Sequence, residues 1–245
     1  MRIIRAYIDA ANKVNQVLPL PASTFQHLIK VLRLSDGAQI EVFNGRGERF
    51  AASLCNIAKK TANLKLTESL EATPESPLHT RMGLVMSKGD RFDYALQKAT
   101  ELGVTSITPL TSERCDLKLN AERAEKKMTH WQGVISSACE QCYRDTIPVL
   151  YPVDSLQNWI NIQDSDIKLV FHTTASEPAW PQLAPKSISF LVGPEGGLTE
   201  QEVESAHQRG FASWQLGPRI LRTETAPIVI LSLLQMKWGD FYLNP

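Results

Sequence analysis

The sequence predicts a two-part α/β protein: a small β-barrel over residues 1–72, then a larger domain over residues 73–245 with a parallel sheet covered by helices on both faces. Three observations predict it. Short apolar-polar alternations fill the first seventy or so residues. The patterning stops at Glu71-Ala72-Thr73-Pro74-Glu75-Ser76-Pro77, where two prolines among small polar residues mark a linker. Beyond it, strand-like runs alternate with helix-like ones, the signature of βαβ units.

In the first part, Ala38 to Phe43 and Arg49 to Leu54 alternate and flank Asn44-Gly45-Arg46-Gly47-Glu48, so the Asn-Gly pair signals a hairpin. Arg2 to Ile8 and Asn63 to Thr67 add strands. A helix is expected near Ser23 to Val31, with Ser23 and Gln26 spaced as a capping box and His27, Lys30 and Arg33 toward its end.

In the second part, Met82 to Met86 reads as the first strand. Asp90 is placed to cap a helix in which Phe92, Ala95, Leu96, Ala99 and Leu102 recur at helical spacing and Gly103 supplies the stop. Thr105 to Leu110 returns as a strand. A longer helix over Ala121 to Tyr143 buries Trp131, Val134, Ile135, Ala138 and Cys142. Strands follow at Lys168 to Phe171 and Ile188 to Val192, and Thr199-Glu200-Gln201-Glu202 is a capping box that opens a helix running to Gly210. The last helix, Pro227 to Trp238, is apolar nearly all round, so it must be buried on every side. A second copy of the chain is the expected partner for it, which makes the protein a homodimer.

Composition narrows the function. With 245 residues and 43% hydrophobic content a packed core is assured. No run approaches the length of a membrane span and the start has no signal-peptide character, so a cytoplasmic protein is expected. Net charge is zero, but residues 1–72 hold ten Lys and Arg against six Asp and Glu. A basic small part beside a mildly acidic large one fits contact with phosphate. Cys139 and Cys142 have metal-pair spacing but fall within a helix with no second pair, and the five histidines show no ligand spacing, so no metal is expected. Walker and dinucleotide glycine signatures are missing, which argues against an ATPase or a dehydrogenase.

Two segments carry the chemistry. The strand ending at Val192 runs directly into Gly193-Pro194-Glu195-Gly196-Gly197, where glycines let backbone groups approach a ligand at a strand end. Just before the final helix lies Leu216-Gly217-Pro218-Arg219-Ile220-Leu221-Arg222-Thr223-Glu224-Thr225-Ala226, which mixes apolar residues with charges as cofactor pockets do. The glycines come late in the domain, whereas a Rossmann-type enzyme carries them after its first strand.

In this order and separation the two segments resemble those of the RsmE family of uracil-N3 methyltransferases, which act on one uridine of small-subunit (16S) ribosomal RNA. Lys88-Gly89-Asp90-Arg91, Gln97 to Val104, Ser112-Glu113-Arg114, Trp131, Glu140 to Arg144 and His27 to Arg33 are also similar to that family, so the resemblance covers nearly the whole chain. Cys115, where a small polar residue is expected, is the main departure. The resemblance implies a SPOUT-type domain with a deep trefoil knot, a PUA-like fold for the N-terminal barrel, and S-adenosylmethionine (SAM) as methyl donor. Periodicity alone would have assigned an ordinary doubly wound sheet.

Methylation at N3 requires loss of an imide proton, so an arginine near the uracil carbonyls and a carboxylate to take the proton are the groups to seek. Arg222 and Glu224, two apart and convergent if the backbone is extended, are the first candidates, with a local ion pair as the competing role. Glu195 is the next. For cofactor contact the candidates are His172, Thr173, Gly193, Gly196, Gly197, Leu216, Gly217, Ile220 and Leu221. For RNA they are Arg2, Arg5, Lys30 and Arg33 in the basic part with Lys88, Arg91, Arg114 and Arg144 beyond it. The expected partner is 16S ribosomal RNA within the assembled small subunit. A catalytically silent ribosome-assembly factor and a ribose 2′-O methyltransferase of the same superfamily are the alternatives.

Overall fold

The structure, a computed structural model, describes residues 3–117, 120–172 and 183–241, so Arg2 and Thr173 lie outside the described residues. It divides into two compact units, Met1–Pro74 with Ser136–Ile147, and Glu75–Ile135 with Pro148–Pro245. Ser136–Ile147 joins the first unit through contacts distant in sequence, which a single cut along the chain does not represent.

In the first unit β1 (Arg5–Tyr7), β2 (Val17–Pro19), α1 (Ala22–Phe25), β3 (Gln39–Phe43), β4 (Arg49–Cys55) and β5 (Asn63–Leu70) follow in order. The strands form a five-stranded sheet of order β1-β3-β4-β5-β2, with β1 parallel to β3 and the other pairs antiparallel. The hairpin at Asn44-Gly45 forms, pairing Phe43 with Arg49 and Gln39 with Ser53. Asn44 Oδ1 accepts from the backbone N–H of Arg46 at 2.9 Å, and Gly45 takes φ 75°, where a Cβ would press to 2.9 Å from the Tyr7 ring. Alternation along β4 buries Phe50, Ala52 and Leu54 against Val42, Leu64 and Leu66.

Three expectations for this unit need correction. The Ser23–Gln26 capping box does not form: the helix starts at Ala22 behind Pro21, with no side-chain cap. Proline presets the entry backbone two residues before Ser23, which puts Ser23 inside the helix. The chain then widens into a π-helical turn over Gln26–Val31, and Arg33 at φ 55° ends it. Arg5, nominated for RNA, has a side chain only 1% exposed and pairs with the fully buried Asp145. Its Nε lies 3.6 Å from Glu41, and its guanidinium carbon sits 4.8 Å from the Phe43 ring and 5.0 Å from that of Tyr143. A buried guanidinium needs a buried counter-charge, and this one is committed to the interior. Arg144, also nominated for RNA, is only 9% exposed.

The second unit contains β6 (His79–Val85), α2 (Asp90–Glu101), β7 (Ser106–Thr111), α3 (Ala121–Cys142, whose last turns lie in the first unit), β8 (Val149–Leu150), β9 (Asp154–Ser155), α4 (Leu156–Asn161), β10 (Ile167–Phe171), β11 (Ser187–Val192), α5 (Glu200–Gln208), β12 (Ala212–Trp214) and α6 (Ala226–Trp238). Its sheet is parallel, in the order β12-β10-β11-β6-β7-β8, with β9 also on β7. Phe92 and Trp131 pack with ring centroids 4.6 Å apart. On α3 the buried cysteine is Cys139, with Cys142 only partly covered.

The Thr199–Glu202 capping box forms in full. Asp90 does not cap α2. Gly89 takes the N-cap position at φ 69°, a region closed to aspartate at little cost, and Asp90 becomes the first helical residue. At the other end Gly103 adopts φ 79° and stops the helix. No described helix is long and apolar enough to cross a membrane.

Helix α6 carries one buried amide among its apolar residues. Gln235 Nε2 donates to the carbonyls of Leu102 at 3.1 Å and Gly103 at 3.3 Å, and its Oε1 accepts from Ser76 Oγ at 2.7 Å. It therefore satisfies carbonyls left over at the end of α2, and a Cβ on residue 103 would fall 2.5 Å from it. Replacing Gln235 with leucine of similar bulk strips these partners and should lower the unfolding free energy by about 1–3 kcal/mol. Urea denaturation measures it, and a change below about 0.5 kcal/mol would deny the amide this role.

Candidate active site

Because the sheet is parallel, the carboxyl ends of β12, β10 and β11 emerge along one edge. Phe171 pairs with Trp214, and β10 runs beside β11 from Ile167 against Ile188. His172 N–H donates to the Trp214 carbonyl at 3.1 Å, so the chain segments leaving these strands begin side by side. They enclose a cavity of about 640 Å³, within the range of cofactor sites. Phe171, Val192, Leu198, Trp214, Leu216 and Leu221 supply apolar wall, and Arg91, Glu195, Arg222 and Glu224 supply charge.

The Gly193–Gly197 turn is held by its own backbone and by a neighbour. Gly197 N–H donates to Pro194 O at 2.9 Å with φ 69°, and Arg114 Nη1 donates to the Gly196 carbonyl at 3.0 Å. At Gly193 a Cβ would stand 3.0 Å from Leu198, so glycine here keeps the wall close.

Of the residues nominated for cofactor contact, His172, Gly193, Gly197, Leu216, Gly217, Ile220 and Leu221 line the cavity. Gly196 does not: it faces Arg114 instead. Sequence reasoning missed Phe171 and Trp214, which end strands as plain core residues would, and nominated Arg91 for RNA without placing it on this cavity, which it reaches from α2 more than a hundred residues before the turn it meets. β12 is too short to announce itself by periodicity.

Arg222 and Glu224 both reach the cavity, but through a turn and not through extended backbone, since Thr225 and Ala226 N–H both donate to the Arg222 carbonyl. Their charges are 3.8 Å apart and unequally placed: the Arg222 side chain is 77% exposed, that of Glu224 14%. Glu224 Oε2 is buried without a hydrogen-bond partner.

An open groove of about 880 Å³ shares Arg91, Glu195 and Glu224 with the cavity and adds Lys88, Gly89, Asp90, Tyr94 and Asp116. Here the nominated cations are already matched, Arg91 to Glu195 at 3.1 Å and Lys88 to Asp116 at 3.0 Å. In the first unit Lys30 and Arg33 are exposed. Lys30 Nζ donates to the Lys59 carbonyl at 3.3 Å, which brings it beside Lys59 and Lys60, exposed residues of a turn that charge counting alone did not single out. Among the described residues no three His, Cys, Asp or Glu side chains gather as a metal site.

A parallel α/β unit with a glycine-cornered apolar cavity at its strand ends, following a small β-rich unit, defines a protein of the RNA methyltransferase class. The family model for an RNA methyltransferase domain matches residues 74–235, and that for an RNA methyltransferase PUA domain matches residues 20–67. The chain is 36% identical over 242 residues to the ribosomal RNA small subunit methyltransferase E of Buchnera aphidicola subsp. Schizaphis graminum, covering 98% of each chain. It is 34% identical to that of Bacillus subtilis over 85% of each. Among solved structures it is similar to ribosomal RNA small subunit methyltransferase E from Neisseria gonorrhoeae bound to S-adenosyl methionine (TM-score 0.90, 37% identity, 98% and 100% covered). It is also similar to a Legionella pneumophila protein, described as a putative methyltransferase, with bound SAM (TM-score 0.95, 38% identity, 98% and 100% covered). The chain belongs to the ribosomal RNA small subunit methyltransferase E family.

The Arg91–Glu195 pair is open to water, with side chains 49% and 39% exposed, so it contributes little to folding. Alanine at either position should change unfolding free energy by less than about 1 kcal/mol. A larger loss in thermal or urea unfolding would make the pair a structural strut instead of part of the site.

Proposed function

We propose that the protein uses SAM to methylate N3 of one uridine in 16S ribosomal RNA, in the cytoplasm and within the small ribosomal subunit. The observation that carries this reading is the cavity at the ends of β10 and β11, bordered toward the groove by Glu224, whose Oε2 is buried and unpartnered just inside the wall. The residues present fit SAM. Phe171, Leu198, Trp214 and Leu216 offer apolar surface for an adenine, Gly193 and Gly217 offer backbone without side-chain hindrance, and carboxylates at the border suit a cationic sulfonium. When bound, SAM supplies an activated methyl group.

The chain's own residues address the step that SAM does not assist, removal of the N3 proton. Glu224 is held largely dry with one oxygen free, so it accepts that proton through Oε2. Arg222, mostly exposed and only 3.8 Å from Glu224, is free to swing its guanidinium onto a uracil carbonyl and stabilise the anion as it forms. Glu195 stays paired with Arg91 and shapes the wall. The basic cluster of Lys30, Arg33, Lys59 and Lys60 on the β-rich unit docks the phosphate backbone. The parallel strand order, with the 215–225 segment returning beside the glycine turn, supports the knotted form of the domain.

Ribosomal RNA from cells lacking the protein should lose one N3-methyluridine and regain it on incubation with protein and SAM. Glu224→Gln should cut the rate about 10²- to 10⁴-fold with calorimetric SAM affinity kept. An unchanged modification profile rejects the function, and a Glu224→Gln rate near wild type removes that residue from the chemistry.

We also infer a homodimer through α6. Pro227, Ile230, Leu231 and Leu234 are buried within the chain, while Ile228, Val229 and Leu233 are only partly covered and Met236 is 48% exposed, so part of an apolar helix still needs cover. Light scattering should give twice the chain mass of 27.3 kDa, and Met236→Glu should return it to one. A wild-type mass of one chain at micromolar concentration removes the dimer.

A further inference from the structure

The groove beside the cavity has charge of the wrong kind for a phosphate. Four carboxylates line it, Asp90, Asp116, Glu195 and Glu224, against two cations, Lys88 and Arg91. Each cation is already matched at close range, by Asp116 and Glu195. The amino end of α2 opens here too, but Asp90 and Asp93 in its first turn offset the partial positive charge that would draw an anion. A phosphodiester would meet net repulsion and no uncommitted cation. What the lining can take is a neutral group with both N–H and carbonyl functions.

The remaining groove side chain is aromatic. Tyr94 lines the groove from α2, one turn after Asp90, and is 47% exposed although its neighbours Ala95 and Leu96 are buried. Lys98 Nζ, paired with Glu101, lies 5.7 Å from the Tyr94 ring centroid. Exposed rings beside a pocket that serves RNA are stacking surfaces for unpaired bases.

Resting on the function proposed above, we propose that this groove is the subsite for the target uracil itself, extruded from the RNA. Tyr94 stacks on the base, Arg91 donates to a carbonyl oxygen from its place beside Glu195, and the N3–H edge is presented to Glu224 at the border with the cavity. Lys88 and Arg91 then read the base and not the phosphate backbone, which alters their nominated role. Tyr94 is a positioning residue that fixes how the base meets Glu224.

The test uses the full chain, small-subunit ribosomal RNA substrate and labelled SAM. Tyr94→Ala should raise KM for RNA about 10- to 100-fold with SAM affinity unchanged by calorimetry, and Tyr94→Phe should stay within about twofold of wild type. Lys88→Ala should leave the salt dependence of RNA affinity as it was, whereas Lys30→Ala should reduce its slope by about one. The subsite is overturned if Tyr94→Ala keeps the wild-type KM, if Tyr94→Phe is as impaired as Tyr94→Ala, or if Lys88→Ala flattens the salt response as Lys30→Ala does. A wild-type chain that transfers no methyl group to the RNA is a different result, and it overturns the proposed function itself.

Discussion

The buried amide of Gln235 is the contact on which the geometry of the second unit turns. α6 is so uniformly apolar that hydrophobic burial alone specifies neither its rotation nor its axial position, because any face could be buried equally well. One polar side chain removes that freedom. Its donors reach the carbonyls of Leu102 and Gly103 and its acceptor meets Ser76, so a slip by one residue would leave all three unpaired in a largely dry place. Fixing α6 fixes the backbone that carries Glu224 and Arg222, which stand immediately before its first turn. Fixing the end of α2 fixes Arg91 and Tyr94 at its beginning. The two elements that carry charge to the site are registered against each other by a contact outside the site.

The first unit solves a similar problem with charge. Arg5 and Asp145 are far apart in sequence and wholly desolvated, and Asp145 also accepts from Thr73 N–H at 2.7 Å. Such a pair adds little net stability over a hydrophobic equivalent but is costly to break, so its value lies in specifying which segments meet. It ties Ser136–Ile147 to β1 and to the end of the linker. A side-chain acceptor adds to this: Tyr7 N–H donates to Glu140 Oε1 at 2.9 Å, where burial pushes the Glu140 carboxyl above its ordinary range.

Much of the fold was legible because local chemistry and burial agree. The Asn44-Gly45 hairpin, the Thr199 capping box and the Gly103 stop are determined within a few residues, and each forms as its residue types require. The misreadings share a cause. Ser23 and Asp90 are good capping residues, but the neighbouring Pro21 and Gly89 impose backbone angles that place the helix start before them. Arg5 looked like surface charge because its partners at 41 and 145 cannot be seen from its neighbours. In the site, the glycine turn and the 216–224 loop stood out by composition, whereas Phe171, Trp214 and Arg91 are ordinary residues until strand order and the placement of α2 bring them there.

The unpartnered atoms separate structural charge from working charge. Arg5 Nε, Arg49 Nε and Glu41 Oε2 lack hydrogen bonds, yet each belongs to a cluster whose opposite charges stand 3.6 to 4.0 Å away, so their desolvation is offset within the fold. Among the described residues Glu224 pairs with Arg222 alone, through the other oxygen and with a side chain mostly in water. Asp93 Oδ1 is likewise unpartnered beside His130, and what sets Glu224 apart is its place on the cavity wall. A buried carboxylate oxygen left in this state costs stability. Its cost is understandable where a ligand proton completes the hydrogen bonding. The same loop thus holds an arginine free to move and a carboxylate that is not, and this asymmetry divides the labour between them: the fixed group receives the proton, and the mobile one follows the charge that proton leaves behind.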